Sequence, residues 1–589
     1  MKNILPYPKK VKEFNGFFNT ENCEIILRGI DDNRVFKVAS KIKDLLSEAD
    51  CTHHRLGTGC SCARSIIIEK DNVLQSEEYN LTISIDSIFI SGGTDVACFY
   101  ALKTLEQIIN QYGKKLPSVS INDYPDMSYR GFYYDASRGR IPSVEGIKRM
   151  VDILAGMKIN SLQIYVEHSF DFNEFRSLGR SSDYVLTPND ILEIDDYCYQ
   201  NFIDFIPSMA TFGHLYELLS LNEYKELCEL DNFKPEWHFW RERMAHHTID
   251  PSNPKSIKVI CSLIDQYLPL FRSKYFNICC DETLDLCTGK NKGKNKGKNK
   301  GNLYCEFVNK IISHVTDNGK TVMMWGDIVL EHPETLKTLP KNTILLNWDY
   351  GANPRLDKIE SVYKSEFQQI VCPGTSSWMR LIENPENSIP NIVKMIECGY
   401  KYRANGALIT NWGDYGHPAS FESSIYGTIT AACKSWNVKT FIDETFELDF
   451  SRIIYGLSSN AVKYITELSS AQENAPWISF FDWNKKRDIS EFSGSIDSSV
   501  KAEQKCAEII QALSAYKQEN RFIDHLSVAA QGIALLNRAE QIILSNGNFT
   551  EWRFRADEWL RKYQKLWLET SKLSEFCEIR NFIMQIPND

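Results

Sequence analysis

Asp281 and Glu282 stand side by side where an apolar run, FNICC at 276–280, gives out. Adjacent carboxyl groups at the end of a strand are candidates for proton transfer and for holding a polar ligand. Other short apolar runs along the middle of the chain end in residues of the same kind. In order these ends are Asp135 with Arg138 close by, Glu167-His168, Gly213-His214, Asp281-Glu282, Trp325-Gly326-Asp327, Trp348-Asp349-Tyr350, Ser376-Ser377-Trp378 and Trp412-Gly413-Asp414. Each of the last four carries a Trp, in a chain with 12 Trp among 589 residues. Indole faces stack on flat apolar surfaces and carboxylates accept from hydroxyls, so the recurring pair describes a pocket for a polyhydroxylated ring. A Trp taken singly belongs to the core more often than to a ligand; the register of the four carries the reading. No HExxH spacing of a metal-dependent hydrolase occurs.

These ends need a scaffold that aims them at one point. Apolar runs at 131–135, 162–166, 205–209, 276–280, 322–325, 344–348, 370–372 and 407–411 alternate with amphipathic segments that carry helix-start signals. Ser143 leads into VEGIKRMVDILAGM, Thr187-Pro188 opens NDILEIDDYCYQNF, and Asn253-Pro254 opens a third segment of this type. Eight strands alternating with helices predict an α/β fold, a (β/α)8 barrel of the triosephosphate-isomerase type. A doubly wound open sheet fits less well, because no Gly-rich phosphate fingerprint follows any strand. In such a barrel the chemistry sits at the C-terminal strand ends, where the carboxylates and indoles lie. The barrel is expected over 123–438. Residues 1–122 read as a small N-terminal α/β domain, with a hairpin over 79–93 and a helix over 95–112 stopped at Gly113. Residues 439–589 read as mainly helical, with periodic stretches near 500–517, 525–545 and 551–578, and are expected to pack on the barrel.

Several of these motifs form an ordered series. Asp123-Tyr124-Pro125, Tyr129-Arg130-Gly131-Phe132, Asp135-Ala136-Ser137-Arg138 and FNICCDE at 276–282, preceded by the 79–93 hairpin and CFYALKTLEQ from Cys98, resemble glycoside hydrolase family 20, the β-N-acetylhexosaminidases, over about 75–435. The resemblance implies a retaining exo-hydrolase of glycans ending in β-linked N-acetylglucosamine or N-acetylgalactosamine. It implies no cofactor and no metal, with the substrate's own acetamido group as nucleophile. Glu282 would be the acid/base, a task that calls for a raised pKa, and Asp281 would hold the acetamido N–H. Neighbours on a strand point to opposite faces, which suits such a division of labour better than two carboxyls flanking one carbon. His214 would assist Glu282, with Glu167 orienting its ring, and Arg130 would bind the O3 and O4 hydroxyls. Trp325, Trp348 and Trp412 would wall the pocket, and Asp414 would take O4 or O6. Two departures stand out. CPGTSSW, ending at Trp378, occupies the place of the family's acetamido-binding Tyr, which leaves Tyr350 as the nearest substitute hydroxyl and Trp378 as a further pocket residue. The second strand ends in Glu167-His168 instead of paired Asp. A related hydrolase of O-linked N-acetylglucosamine on proteins would present two Asp, and a barrel that binds sugars without cleaving them has no need of Glu282.

Composition narrows the setting. A net charge of -10 with a pI near 5.7 argues against a nucleic-acid partner, which needs clustered Lys and Arg. The 17 Cys are odd in number and scattered through core-like segments, a pattern of reduced thiols. Residues 1–14 lack an apolar signal region, and no run of 18 apolar residues occurs, so cytoplasmic residence away from membranes is expected. Cys51, His53, His54, Cys60 and Cys62 are soft ligands without a standard zinc spacing and are read as incidental. The insertion GKNKGKNKGKNKG at 289–301 carries six Lys and no acid, and is expected to be a solvated, disordered loop.

Overall fold

A computed structural model of the chain describes residues 4–48, 56–57, 64–231, 236–245, 247–293, 300–516 and 520–587. The Cys51–Cys62 ligand cluster and the middle of the Lys-rich insertion lie outside the described residues.

The N-terminal segment folds as a seven-stranded mixed sheet. Its hairpin pairs Tyr79–Ile83 with Ser87–Gly92 antiparallel, as the period-2 alternation predicts. Against the sheet lies the helix Asp95–Tyr112, buried at Cys98, Leu102, Leu105 and Ile109. It stops at Gly113, whose φ of 60° a residue with a Cβ adopts only at a cost.

Eight parallel strands then close into a barrel. They are β1 (Tyr129–Asp135), β2 (Ser161–Val166), β3 (Asp204–Met209), β4 (Tyr275–Asn277), β5 (Thr321–Trp325), β6 (Ile344–Trp348), β7 (Gln368–Cys372) and β8 (Gly406–Asn411). Hydrogen bonds run in sequence order, and β8 closes on β1 through pairs such as Leu408 with Gly131. Covered on both faces, the strands are buried almost throughout and do not alternate between buried and exposed residues. The crossover helices start where their caps predict. Ser143 accepts from the Gly146 N–H, Thr187 and Asp190 form a reciprocal capping box, and Asn253 accepts from the Lys255 N–H.

One strand is shorter than expected. β4 leaves the sheet after Asn277, and Cys279 and Cys280 take left-handed backbone at φ 56° and 65°. Its apolar run therefore continues as a kinked turn into Asp281.

Among the described residues seven α-helices follow the barrel, from Glu444–Tyr455 to Phe576–Met584. They brace the ends of β1 and β8. Arg140 donates to the Tyr563 hydroxyl, Tyr563 donates to the Pro418 carbonyl, and the Trp477 indole N–H donates to the Tyr415 carbonyl.

Candidate active site

The C-terminal ends of the strands enclose a cavity of about 180 Å³. On one side stand Arg138, His214, Asp281, Glu282 and Asp414, with Met244 at the edge. Facing them are Trp325, Trp348, Tyr350, Trp378 and Trp412.

The polar side is built around Arg138. At the end of β1 the Asp135 carboxylate accepts from the Gly413 N–H at 3.0 Å and from Arg138 at 3.1 Å, tying β1 to β8 and aiming the guanidinium. Arg138 lies 3.2 Å from Glu167 and 3.6 Å from Asp414, sandwiched by the rings of Tyr165 and Trp412. Its Nη2 is also 3.2 Å from His214 Nδ1. Burial lifts the Asp414 carboxyl to a pKa of about 6, against the pull of Arg138.

His214 enters from the turn after β3, at φ 59°. Gly213 before it has no room for a side chain, because a Cβ there would sit 2.6 Å from the Asp281 carbonyl. His214 Nε2 lies 3.3 Å from Asp281 Oδ2 and 3.4 Å from Glu282 Oε2. Burial disfavours a charged imidazole, yet the Asp281 charge and the contacts to both carboxylates prevail and push the pKa up to about 10. Two anions on Nε2 outweigh one guanidinium on Nδ1.

Asp281 and Glu282 both face the cavity, which strand alternation does not allow. Glu282 has φ 44°, so the backbone turns between the two and re-aims the second side chain. Several bonds hold the turn. Tyr304 donates to the Cys280 carbonyl at 2.7 Å, Thr211 to the Ile278 carbonyl at 2.5 Å, and the Glu282 N–H to Asp327 at 3.0 Å. Buried beside Asp281, the Asp327 carboxyl is raised in pKa by burial first and by the Asp281 charge second.

On the aromatic side Trp348 and Tyr350 stack at 5.1 Å, and Trp378 leans on Tyr350 at 5.3 Å. The Trp412 indole N–H donates to the Tyr350 hydroxyl at 2.7 Å, which leaves the phenolic hydrogen to point elsewhere.

A model of the glycosyl hydrolase family 20 catalytic domain matches residues 127–407, and a model of domain 2 of that family matches residues 1–124. The chain belongs to glycosyl hydrolase family 20. Among curated relatives, a lacto-N-biosidase of Bifidobacterium bifidum is 24% identical over 50% of this chain and 26% of its own length. A beta-hexosaminidase of Porphyromonas gingivalis is 25% identical over 56% of this chain and 45% of its own. The chain thus spans less than half the length of either. The fold of the Flavobacterium johnsoniae chitobiase superposes with a TM-score of 0.65 at 18% identity, covering 96% of this chain and 99% of that one. A family 20 exo-beta-N-acetylglucosaminidase of Vibrio harveyi, solved in complex with N-acetylglucosamine, gives 0.62 at 16% identity, covering 79% and 78%.

Within this family 20 barrel, most residues expected from the sequence converge on the cavity: Glu282, Asp281, His214, Trp325, Trp348, Tyr350, Trp378, Trp412 and Asp414. Arg130 does not. It sits near the start of β1, at the opposite end of the barrel, with its side chain 0% exposed. There it donates to Glu77 of the N-terminal domain, to the Tyr100 hydroxyl and to the carbonyls of Met127, Ser128 and Lys158. It pins the N-terminal domain to the barrel, and Arg138, eight residues on and just past the end of the same strand, is the arginine in the cavity. Glu167 is also displaced: it receives the Tyr165 hydroxyl and Arg138, and reaches His214 through Arg138. Sequence reasoning assigned no role to Asp135, Asp327 or Met244. Asp135 and Asp327 were visible as carboxylates at strand ends. Met244, beside the short helix Phe239–Arg243, carried no signal.

Proposed function

We propose that this protein is an exo-acting β-N-acetylhexosaminidase that releases terminal β-linked N-acetylglucosamine or N-acetylgalactosamine with retention of configuration. The observation that carries the reading is the convergence of Asp281 and Glu282 on one side of an indole-walled cavity. Their ligand atoms and that of His214 all lie within 4.8 Å of one another. A retaining nucleophile and acid stand about 5–5.5 Å apart across the sugar. Two carboxyls crowded on one imidazole nitrogen are poorly placed to straddle a ring, which supports a nucleophile supplied by the substrate.

The steps follow from the positions. Glu282 gives its proton to the leaving oxygen as the C1–O bond breaks. The acetamido carbonyl oxygen bonds to C1 and closes an oxazolinium-type ring. Asp281 accepts the acetamido N–H, orienting the group before attack and offsetting the positive charge afterwards. Glu282 then takes a proton from water as that water attacks C1 and the ring reopens. Arg138 and Asp414 supply a donor and an acceptor for ring hydroxyls, and the indoles cover the apolar ring face. At about 180 Å³ the cavity suits one sugar unit, which supports exo action.

The test is hydrolysis of p-nitrophenyl β-N-acetylglucosaminide by purified protein. Activity without added metal, retention by NMR, and losses of about 10²–10⁴-fold in Glu282→Gln and Asp281→Asn are expected. Unchanged rates in both variants reject the reading. The same three side chains favour a second reading, a metal-dependent hydrolase. Abolition of activity by a chelator, restored by metal, would establish it instead. Residence in the cytoplasm belongs to the same proposal. The cysteines among the described residues carry free thiols, most of them buried, as suits a reducing compartment. Fractionation of the native cells, with the activity in the soluble intracellular fraction, checks it.

A further inference from the structure

Beside the candidate active site lies a second, larger cavity of about 480 Å³. The two share walls. His214 faces the first cavity and Tyr216 the second, while Met244 faces the first and Arg243 the second. Ser574 and Glu575, just before the last helix, also line the second.

Two polar groups in its lining have unmet bonding capacity. Arg180 donates through Nη2 to Glu217 at 3.1 Å, but its Nη1 is buried without a hydrogen-bond partner. His168 is 4% exposed, and its Nδ1 also has none, Glu167 being 3.9 Å away. Burying such groups unsatisfied costs free energy, and native proteins retain them where something else completes the bonds. Around them, Glu217 and Glu575 stand as acceptors held by Arg243. Tyr184, 38% exposed, with Tyr216 and Phe239 provides aromatic faces. Donors and acceptors of both signs interleaved with aromatic rings suit a neutral saccharide, whose hydroxyls both give and accept and whose ring face is apolar. An anion is disfavoured, because carboxylates face both arginines.

We propose that this cavity binds a further sugar unit of the glycan whose terminal residue occupies the first. The inference rests on the glycosidase reading, since it assigns an additional subsite to that substrate. Arg180 and Tyr184 are the groups that recognise the second unit, and neither touches the terminal sugar.

The test compares a short substrate with a long one. For p-nitrophenyl β-N-acetylglucosaminide, Arg180→Ala and Tyr184→Ala should leave kcat and KM within about twofold of wild type. For a β-1,4-linked tetrasaccharide of N-acetylglucosamine, the same variants should raise KM at least tenfold. Equal effects on both substrates, or none on either, overturn the proposal, the first outcome marking a structural role. Calorimetric titration of the tetrasaccharide into Glu282→Gln, with and without Arg180→Ala, reads the site independently of turnover. If wild type cleaves neither substrate but the titration shows weakening of tenfold or more on loss of Arg180, the glycosidase reading fails and the site stands. Cleavage of both substrates with identical titrations sinks the site alone.

Discussion

Two arginines eight residues apart, Arg130 and Arg138, make the sharpest test of the active-site assignment. Arg130→Met removes a guanidinium that is 0% exposed and leaves Glu77, 17% exposed, without its partner. Breaking a buried pair costs about 3–5 kcal/mol, toward the lower end here because water reaches Glu77. The carbonyls of Met127, Ser128 and Lys158 lose donors as well, at about 1 kcal/mol each where water cannot replace them. A loss of about 4 kcal/mol in stability is expected, with kcat/KM of the folded enzyme unchanged within about threefold. Arg138→Met should behave differently. If its guanidinium donates two charge-assisted bonds to ring hydroxyls, each contributing about 1.5–3 kcal/mol, kcat/KM falls by about 10²–10⁴-fold. That variant also loses stability, since Asp135, Glu167 and Asp414 surround the missing charge. The discriminating quantity is therefore kcat/KM per folded molecule, with thermal unfolding followed by circular dichroism in parallel. A hundredfold loss of kcat/KM in Arg130→Met with unfolding unchanged would refute the assignment and return Arg130 to the substrate.

Other expectations follow from the same geometry. Asp414, with a pKa of about 6, accepts from a hydroxyl more strongly once ionised, so kcat/KM should climb as pH rises through about 6. Asp414→Asn should flatten that limb in a pH–rate profile, and a limb that persists counts against the residue. His214, with its pKa raised to about 10, should remain an imidazolium at pH 8 by ¹⁵N NMR. Its raised pKa stabilises the fold fully below the ordinary value of about 6.5, and that contribution fades as pH climbs through about 10. A neutral ring at pH 8 would refute this. Gly213→Ala places a Cβ 2.6 Å from the Asp281 carbonyl and must shift the catalytic turn. Overpacking of this kind costs about 1–3 kcal/mol, and kcat should fall even where the protein still folds. A fully active, equally stable variant would show the turn to be compliant.

Much of this protein was legible from residue order. Strands and helices announce themselves by local periodicity and caps, so the eight strands, the hairpin before them and the Asp95–Tyr112 helix follow from spacing and from residues such as Ser143 and Gly113. The pocket's membership was nearly as open to reading. In a parallel barrel all strands end at one mouth, so a Trp or carboxylate just past a strand is near every other. What the chain order could not decide depends on fractions of a turn. Arg130 stands at the start of β1 and Arg138 just past its end, and only the closed barrel assigns one to the floor against Glu77 and the other to the cavity. Asp281 and Glu282 should diverge by strand alternation. They converge because tertiary bonds from Tyr304 and Asp327 hold left-handed backbone at Cys280 and Glu282, a local cost that distant residues sustain. The second cavity, walled by residues from 141 to 578, had no sequence signature at all, because its parts meet only when the C-terminal helices dock on the barrel.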